Sequence, residues 1–139
     1  MQNKMINQGY LVRCDIGEDL VRVLTKFAGD NNIGSGSVTG LGAVKDPVLG
    51  YFDLDQKVYL KKKLSGNFEL LNLTGNFSRL GSDVILHCHA IVSDVELNVF
   101  GGHLFEGVIA VTGEFHVYPG GIVVNRGADE TTGLNLIKL

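Results

Sequence analysis

Alternating apolar and polar residues, interrupted by glycine, recur along most of the chain and predict a series of strands. Successive side chains of a strand point to opposite faces, so a strand with one buried face has a hydrophobic period of two. The clearest predicted strands are 10–14, 57–64, 68–77, 84–93, 95–100, 104–112 and 114–118. Asp46-Pro47 separates a glycine-rich stretch at 35–44 from an extended segment at 48–53, and 122–126 and 134–139 are weaker candidates.

One segment has helical spacing instead. Its apolar stripe predicts a helix over about 18–31 and consists of Leu20, Val23, Leu24 and Phe27. Asp15 stands three residues before Glu18, close to a capping box with Asp15 as the N-cap. At the other end, Gly29 or Gly34 is expected to take the left-handed conformation that stops a helix.

The composition narrows the class of protein. The 139 residues are 45% hydrophobic and 19% charged, which is typical of one globular domain spanning 1–139. Nineteen glycines against two prolines favour tight turns between short strands. We therefore expect an α+β fold in which a mostly antiparallel, multi-stranded sheet packs with the one main helix.

Targeting signals and a disulfide framework are not evident. No apolar run reaches the roughly 18 residues needed to span a bilayer, and no apolar core of a secretory signal follows Met1–Lys4. Two cysteines, Cys14 and Cys88, are too few for a disulfide scaffold. We expect a cytoplasmic protein without a membrane partner.

The charge pattern does not favour binding of nucleic acid. The formal net charge is −3, and the one cationic run is Lys61-Lys62-Lys63. Proteins that bind DNA through its phosphates usually carry a basic excess on one face, whereas charge runs are usually solvated strand or helix faces. Lys61, Lys62 and Lys63 are therefore the DNA-binding candidates, without support from the net charge or an AT-hook.

Three of the four histidines fall within 17 residues and form the most informative motif. In a strand, His87 and His89 share one face while Cys88 points to the other. Gly101-Gly102 then precedes His103 and allows close approach of the backbone. Three imidazole nitrogens can hold a divalent metal and leave one coordination position open. Zinc suits nitrogen ligands best, and nickel, copper or iron are alternatives. The competing interpretation is that the three histidines bind no metal and are polar core residues hydrogen-bonded to backbone carbonyls.

Hydrolysis by water at such a metal needs a nearby carboxylate. Glu69, Glu106 and Glu114 each lie in an otherwise apolar predicted strand. Glu106 is the foremost candidate because it follows His103 by three residues, and Glu69 is the second. For each of them singly, a solvated strand face or a structural ion pair is the more common explanation, and Glu106 alternatively orients an imidazole as a hydrogen-bond acceptor.

Four motifs in order resemble a known family. They are Leu49-Gly50-Tyr51-Phe52-Asp53, Gly66 to Asn76, Leu86-His87-Cys88-His89-Ala90 and Gly101 to Gly107. Together they closely resemble the plant and prokaryote conserved (PPC) domain, most strongly over 10–118. The resemblance implies a compact α+β fold that assembles as a homotrimer. It also implies metal binding in some prokaryotic members, through histidines that match His87, His89 and His103.

Family members are commonly regarded as DNA-binding, by analogy with plant proteins in which an AT-hook contacts the minor groove. Here Arg126-Gly127 is followed by Ala128-Asp129 rather than by the hook's Arg-Pro. The plant segment matching Gly66 to Leu71 contacts other proteins and usually carries arginine where this chain has Asn67. The candidate ligand- or partner-binding residues are therefore Gly66, Asn67, Phe68, Glu69 and Arg79.

The leading hypothesis is a homotrimeric PPC-domain protein that binds zinc through three histidines and acts by binding a small-molecule or protein partner. The first alternative is a metal-dependent hydrolase or lyase that uses metal-bound water, with Glu106 or Glu69 as base. The second alternative is a genuine DNA-binding regulator.

Overall fold

Nine strands and one helix make up the computed structural model, which describes residues 1–139. The sequence predicts a chain that is mostly strand with one helix, and the structure has this content of secondary structure. In chain order the elements are β1 (Gln2–Ile6), β2 (Gly9–Cys14), α1 (Leu20–Asp30), β3 (Gly36–Asp53), β4 (Val58–Lys63), β5 (Asn67–Leu80), β6 (Asp83–Ser93), β7 (Val99–Pro119), β8 (Asn125–Ala128) and β9 (Asn135–Lys138).

Four long antiparallel strands close on themselves. β3 pairs with β5 and with β7, and β6 pairs with the other edges of both β5 and β7. β4 pairs with the second half of β3, and β2 and β1 extend the sheet beyond β7. The β8–β9 hairpin joins the end of β5 through the parallel pair Arg79 and Asn125. Closure satisfies backbone groups that an open sheet would leave at its edges.

The helix starts later than the sequence predicts. Asp19, rather than Asp15, is the N-cap, and its carboxylate accepts a 2.7 Å hydrogen bond from the backbone N–H of Arg22. Asp15 and Glu18 still interact, because the Asp15 N–H donates to the Glu18 carboxylate at 2.8 Å. That bond stabilises the turn leading into the helix. The expected helix over 18–31 is therefore Leu20–Asp30.

The helix ends without the expected glycine. Asn32 takes the left-handed conformation, with φ of 56°, whereas Gly29 lies inside the helix and Gly34 does not have positive φ. Asparagine tolerates this region better than most residues. At 11 residues the helix is too short to cross a bilayer. It contacts β6 and β7 and buries Leu20, Leu24, Phe27 and Ala28 within a core of 23 residues.

Asp46-Pro47 does not end a strand, as the sequence predicts, but bends one. β3 runs through both residues, and Asp46 adopts a φ of 50° where the pairing with β7 shifts register. The Asp46 N–H donates to the Gly66 carbonyl at 2.9 Å, and the Gly66 N–H donates back to the Asp46 carboxylate at 2.8 Å. These two bonds satisfy the polar groups of the irregular step, so that the strand continues.

The predicted strand at 95–100 is wrong over most of its length, because a turn occupies 95–98 and β7 begins only at Val99. The Asp94 carboxylate accepts 2.9 Å hydrogen bonds from the N–H groups of Glu96 and Asn98. This local bonding competes with strand pairing. It leaves Val95 and Leu97 96% and 79% exposed. β1 is not predicted from the sequence, because its residues have no buried face.

Candidate metal centre

Pairing between two consecutive strands, β6 and β7, assembles the three histidines. His87 and His89 lie two residues apart on β6, and His103 lies near the start of β7. His89 and His103 are direct cross-strand partners, and His103 also pairs with Gly50 of β3. One nitrogen from each imidazole lies within 4.8 Å of the corresponding nitrogens of the other two. The three side chains therefore share one face at the seam where β6 meets β7.

Glycine at neighbouring positions lets β5 approach β6 and lets β3 approach β7 beside this seam. A Cβ added to Gly75 would lie 2.5 Å from the His87 carbonyl oxygen. One added to Gly102 would lie 2.8 Å from the Gly50 carbonyl oxygen, and one on Gly50 would lie 2.5 Å from the Phe105 ring. Real Cβ atoms do not pack this closely, so any larger residue would push β5 or β3 away from the strands that carry the histidines.

Rings surround His103 on several sides. Its centroid lies 5.1 Å from that of His87 in a stacked arrangement, and 5.5 Å from that of His89. The Tyr59 and Phe105 rings lie 5.0 Å and 4.5 Å from it. These contacts hold the imidazole in place and remove part of it from water.

His103 carries an unsatisfied polar atom. Its Nδ1 is buried and has no hydrogen-bond partner, an arrangement that ordinarily costs about 1–3 kcal/mol. This excludes, for His103 Nδ1, the alternative that the imidazole is bonded to a backbone carbonyl. A lone pair in such a place fits donation to a metal ion, and three imidazole nitrogens are a suitable donor set.

The surroundings keep two of the imidazoles neutral. Burial is the largest cause that lowers the pKa of His103, to about 4, and the nearby His87, His89, Lys61 and Arg126 charges add to it. The pKa of His87 is also lowered, first by burial and then by Arg126 and His89. Neutral imidazole is the form that binds metal. At neutral pH both residues are therefore ready to act as ligands without first losing a proton.

Arg126 is the site residue that the sequence analysis missed. It reaches the cluster from β8, where its Nη2 lies 3.4 Å from the His87 Nδ1. Its guanidinium also donates to Ser78 Oγ at 2.7 Å, to Asn76 Oδ1 at 2.9 Å and to the Asn135 carbonyl at 3.0 Å. No local pattern marks this residue, because it lies 39 positions from His87 and reaches it only through the docking of β8 against β5.

Neither predicted carboxylate joins the histidine cluster, which contains no acidic residue. Glu106 is exposed and pairs with Val48 across β3 and β7. Glu69 is exposed on β5 between Ala43 and Ser93. The strand pairings therefore place both side chains apart from the three imidazoles.

The other candidate binding residues lie at two further places. Asn67, Phe68 and Glu69 border a surface hollow near Val111, although Phe68 itself is buried against Phe100. Gly66 belongs to the turn bonded to Asp46. Arg79 donates to the Ser82 carbonyl at 2.9 Å, a bond that supports the turn between β5 and β6.

The three lysines do not present one cationic face. They occupy successive positions of β4, so Lys62 points opposite to Lys61 and Lys63. The Lys61 ammonium lies 3.8 Å from the centre of the Phe105 ring, and Lys63 lies 3.8 Å from the Asp46 carboxylate. The contacts with Phe105 and Asp46 therefore compete with any contact between these two lysines and a phosphate.

The low pKa of His103 predicts an acid-sensitive fold in metal-free protein. Between its ordinary value of 6.5 and about 4, the unfolded chain binds a proton that the folded chain excludes, so the free energy of unfolding falls as the pH decreases through this range. We expect His103→Gln to remove roughly 2 kcal/mol of that dependence. Urea unfolding of both proteins at a series of pH values measures it. His116→Gln, at an exposed position, is the control, and an unchanged pH dependence in His103→Gln would contradict the assignment.

Several solved structures are similar to this chain over its length. A candidate DNA-binding protein from Bacteroides thetaiotaomicron is 31% identical with a TM-score of 0.95, covering 99% of this chain and 96% of its own. A metal-containing protein from Archaeoglobus fulgidus is 35% identical with a TM-score of 0.87, covering 97% and 96%. A plant- and prokaryote-conserved protein from Pyrococcus horikoshii is 33% identical with a TM-score of 0.87, covering 100% and 98%.

None of the curated proteins compared with the chain matches it. The family model of the Plants and Prokaryotes Conserved (PCC) domain, by contrast, matches residues 1–119. That range contains the helix, the closed ring of strands and all three histidines of the cluster. The resemblance found in the sequence motifs is confirmed, and the chain belongs to the Plants and Prokaryotes Conserved domain family.

Proposed function

We propose that this protein is a homotrimer that binds one divalent zinc ion per chain through His87, His89 and His103 and acts by binding a ligand or partner. The observation that carries the proposal is the convergence of three imidazoles, one of which, His103, has a buried Nδ1 without a hydrogen-bond partner. We place the protein in the cytoplasm, since both cysteines are buried free thiols and this fits a reducing compartment.

Donor chemistry and similarity both support a metal. Zinc readily takes three imidazole nitrogens and keeps a fourth position open, and the similar Archaeoglobus fulgidus structure is described as metal-containing. When bound, the ion would supply a Lewis acid at that open position. Because neither Glu69 nor Glu106 lies in the histidine cluster, the geometry favours ligand binding over hydrolysis.

Exposed leucines on the outer surface support self-association. Leu11 of β2, Leu41 of β3 and Leu71 of β5 border the same surface hollow, and they are 42%, 55% and 50% exposed. We call these three residues the leucine face. Contact with further copies would remove this apolar surface from water, which is the usual driving force for closed symmetric assembly.

Zinc binding should depend on the cluster. We expect isothermal titration of chelator-stripped protein to show one zinc ion per chain. His89→Ala, at the most exposed of the three ligands, should weaken binding by roughly a hundredfold or more, because even changes to residues that merely orient ligands cost about 10–100-fold. His116→Ala is the matched control and should bind zinc like the wild type. Full zinc affinity in His89→Ala would contradict the proposed site.

Trimer formation should depend on the leucine face. In analytical ultracentrifugation we expect the wild type to sediment with three times the mass of one chain. Leu41→Glu combined with Leu71→Glu should shift it to monomer, because burying two unpaired carboxylates opposes association. Leu54→Glu, at a position 68% exposed in the turn after β3, provides the control. A monomeric wild type, or a trimer that tolerates both changes, would refute this assembly.

DNA binding is the second candidate, favoured by the description of the Bacteroides thetaiotaomicron structure. It predicts an affinity for duplex DNA that falls steeply between about 50 and 200 mM salt. It also predicts weaker binding when Lys61, Lys62 and Lys63 are all changed to glutamine, but not when the exposed Lys4 and Lys26 are changed. Fluorescence anisotropy measures both effects, and undetectable binding at about 50 mM salt would exclude this function.

A further inference from the structure

A cavity of about 280 Å³ opens beside the histidine cluster. Its lining combines the cluster with the C-terminal hairpin and includes Tyr59, His87, His103, Arg126, Leu134 and Leu136. The hairpin strands β8 and β9 lie beyond residues 1–119, which the family model matches. The cavity is therefore completed by a part of the chain that the family motif does not include.

Arg126 brings an uncompensated positive charge to this cavity. The groups that its guanidinium contacts are neutral: the Ser78 hydroxyl, the Asn76 amide, the Asn135 carbonyl and the unprotonated His87 imidazole. No carboxylate forms a salt bridge with it, and burial lowers the pKa of its guanidinium. A partly buried charge without a counter-ion is unfavourable, and an anion bound beside it would remove that cost.

The rest of the lining provides no negative charge either. No aspartate or glutamate lines the cavity, and Arg126 is the one lining residue with a permanent charge. A divalent ion at the histidines would add two further positive charges. The cavity thus has the electrostatic character of an anion site.

Apolar side chains form the opposite part of the wall. Leu134 and Leu136 come from the hairpin, and Leu80, Ile85 and Leu86 from the turn region of β5 and β6. Leu80 and Leu136 are each 37% exposed, so they still offer apolar surface to a ligand. Small-molecule pockets usually combine one or a few polar or charged groups with a mostly apolar lining.

We propose that this cavity binds a small organic anion, whose carboxylate or phosphate group contacts the Arg126 guanidinium and whose apolar body lies against Leu134 and Leu136. The proposal rests on the zinc site proposed above, since the ion supplies most of the positive charge. The organic anion would then be the ligand that the protein binds beside its metal ion.

Calorimetric titration of zinc-loaded protein with matched probes tests the class of ligand. Sodium hexanoate and hexyl phosphate share an apolar body and differ in the head group, while 1-hexanol is a neutral analogue. We expect one or both anions to bind at least about tenfold more tightly than hexanol, since a charged hydrogen bond contributes that much or more. The preferred anion identifies the head group. Equal binding of hexanol, or no anion binding to zinc-loaded protein, would overturn the proposal.

Variants test the assigned residues. Arg126→Gln should weaken anion binding by about 10–100-fold when both proteins are kept saturated with zinc. Arg22→Gln, the same change at an exposed helix position, should leave anion binding unaltered. Leu136→Ala should weaken hexanoate but leave inorganic phosphate unaffected. Anion affinity that survives Arg126→Gln would refute the role of this residue.

Arg126→Lys distinguishes the effect of the positive charge from the effect of the hydrogen bonds that hold the C-terminal hairpin in place. It keeps the positive charge but cannot reproduce the fork of bonds to Ser78, Asn76 and Asn135. We expect it to bind the anion more tightly than Arg126→Gln, and equal loss in both variants would contradict a charge-based site. Failure of the wild type to bind zinc would overturn the proposed function itself, whereas zinc binding without anion binding would overturn only this inference.

Discussion

The pairing of β6 with β7 is the contact on which the rest of this structure depends. It closes the ring formed with β3 and β5, so that each of these strands has partners on both edges. The same pairing sets His89 directly across from His103. Gly75 lets β5 lie close to β6, and Gly102 lets β7 lie close to β3, since a side chain at either position would collide with a carbonyl oxygen. Fold closure and assembly of the histidine cluster are therefore one event.

Electrostatics gives this seam its chemical character. Partial burial keeps His87 and His103 neutral, and the buried Nδ1 of His103 has no partner within the protein. Arg126 lies against the cluster with neutral hydrogen-bond partners only. The imidazole nitrogens of the cluster can bind a metal ion, and the Arg126 guanidinium, which has no counter-ion, can bind an anion. Both properties are those of a binding site, which is why we favour a binding role.

Local patterns predicted the elements well where packing agreed with them and failed where side chains bonded to the backbone. The helical stripe from Leu20 to Phe27 identified α1 because those residues face the core. The apolar run at 95–100 misled because Asp94 captures the neighbouring N–H groups in a turn. Asp46-Pro47 misled in the opposite direction, since the bonds to Gly66 let β3 continue through a residue pair that usually ends a strand.

The sequence by itself determined the single helix, most of the strands and the shared face of His87 and His89, because the periods of 3.6 and 2 are properties of neighbouring residues. The motif order also identified the family. The sequence also proposed His103 as the third histidine, but only the tertiary structure decided that it lies directly across from His89, that Glu69 and Glu106 lie apart from the cluster and that Arg126 borders it. Strand partners and hairpin docking are chosen by closure of the ring and burial of the core, and these depend on residues far apart in the chain.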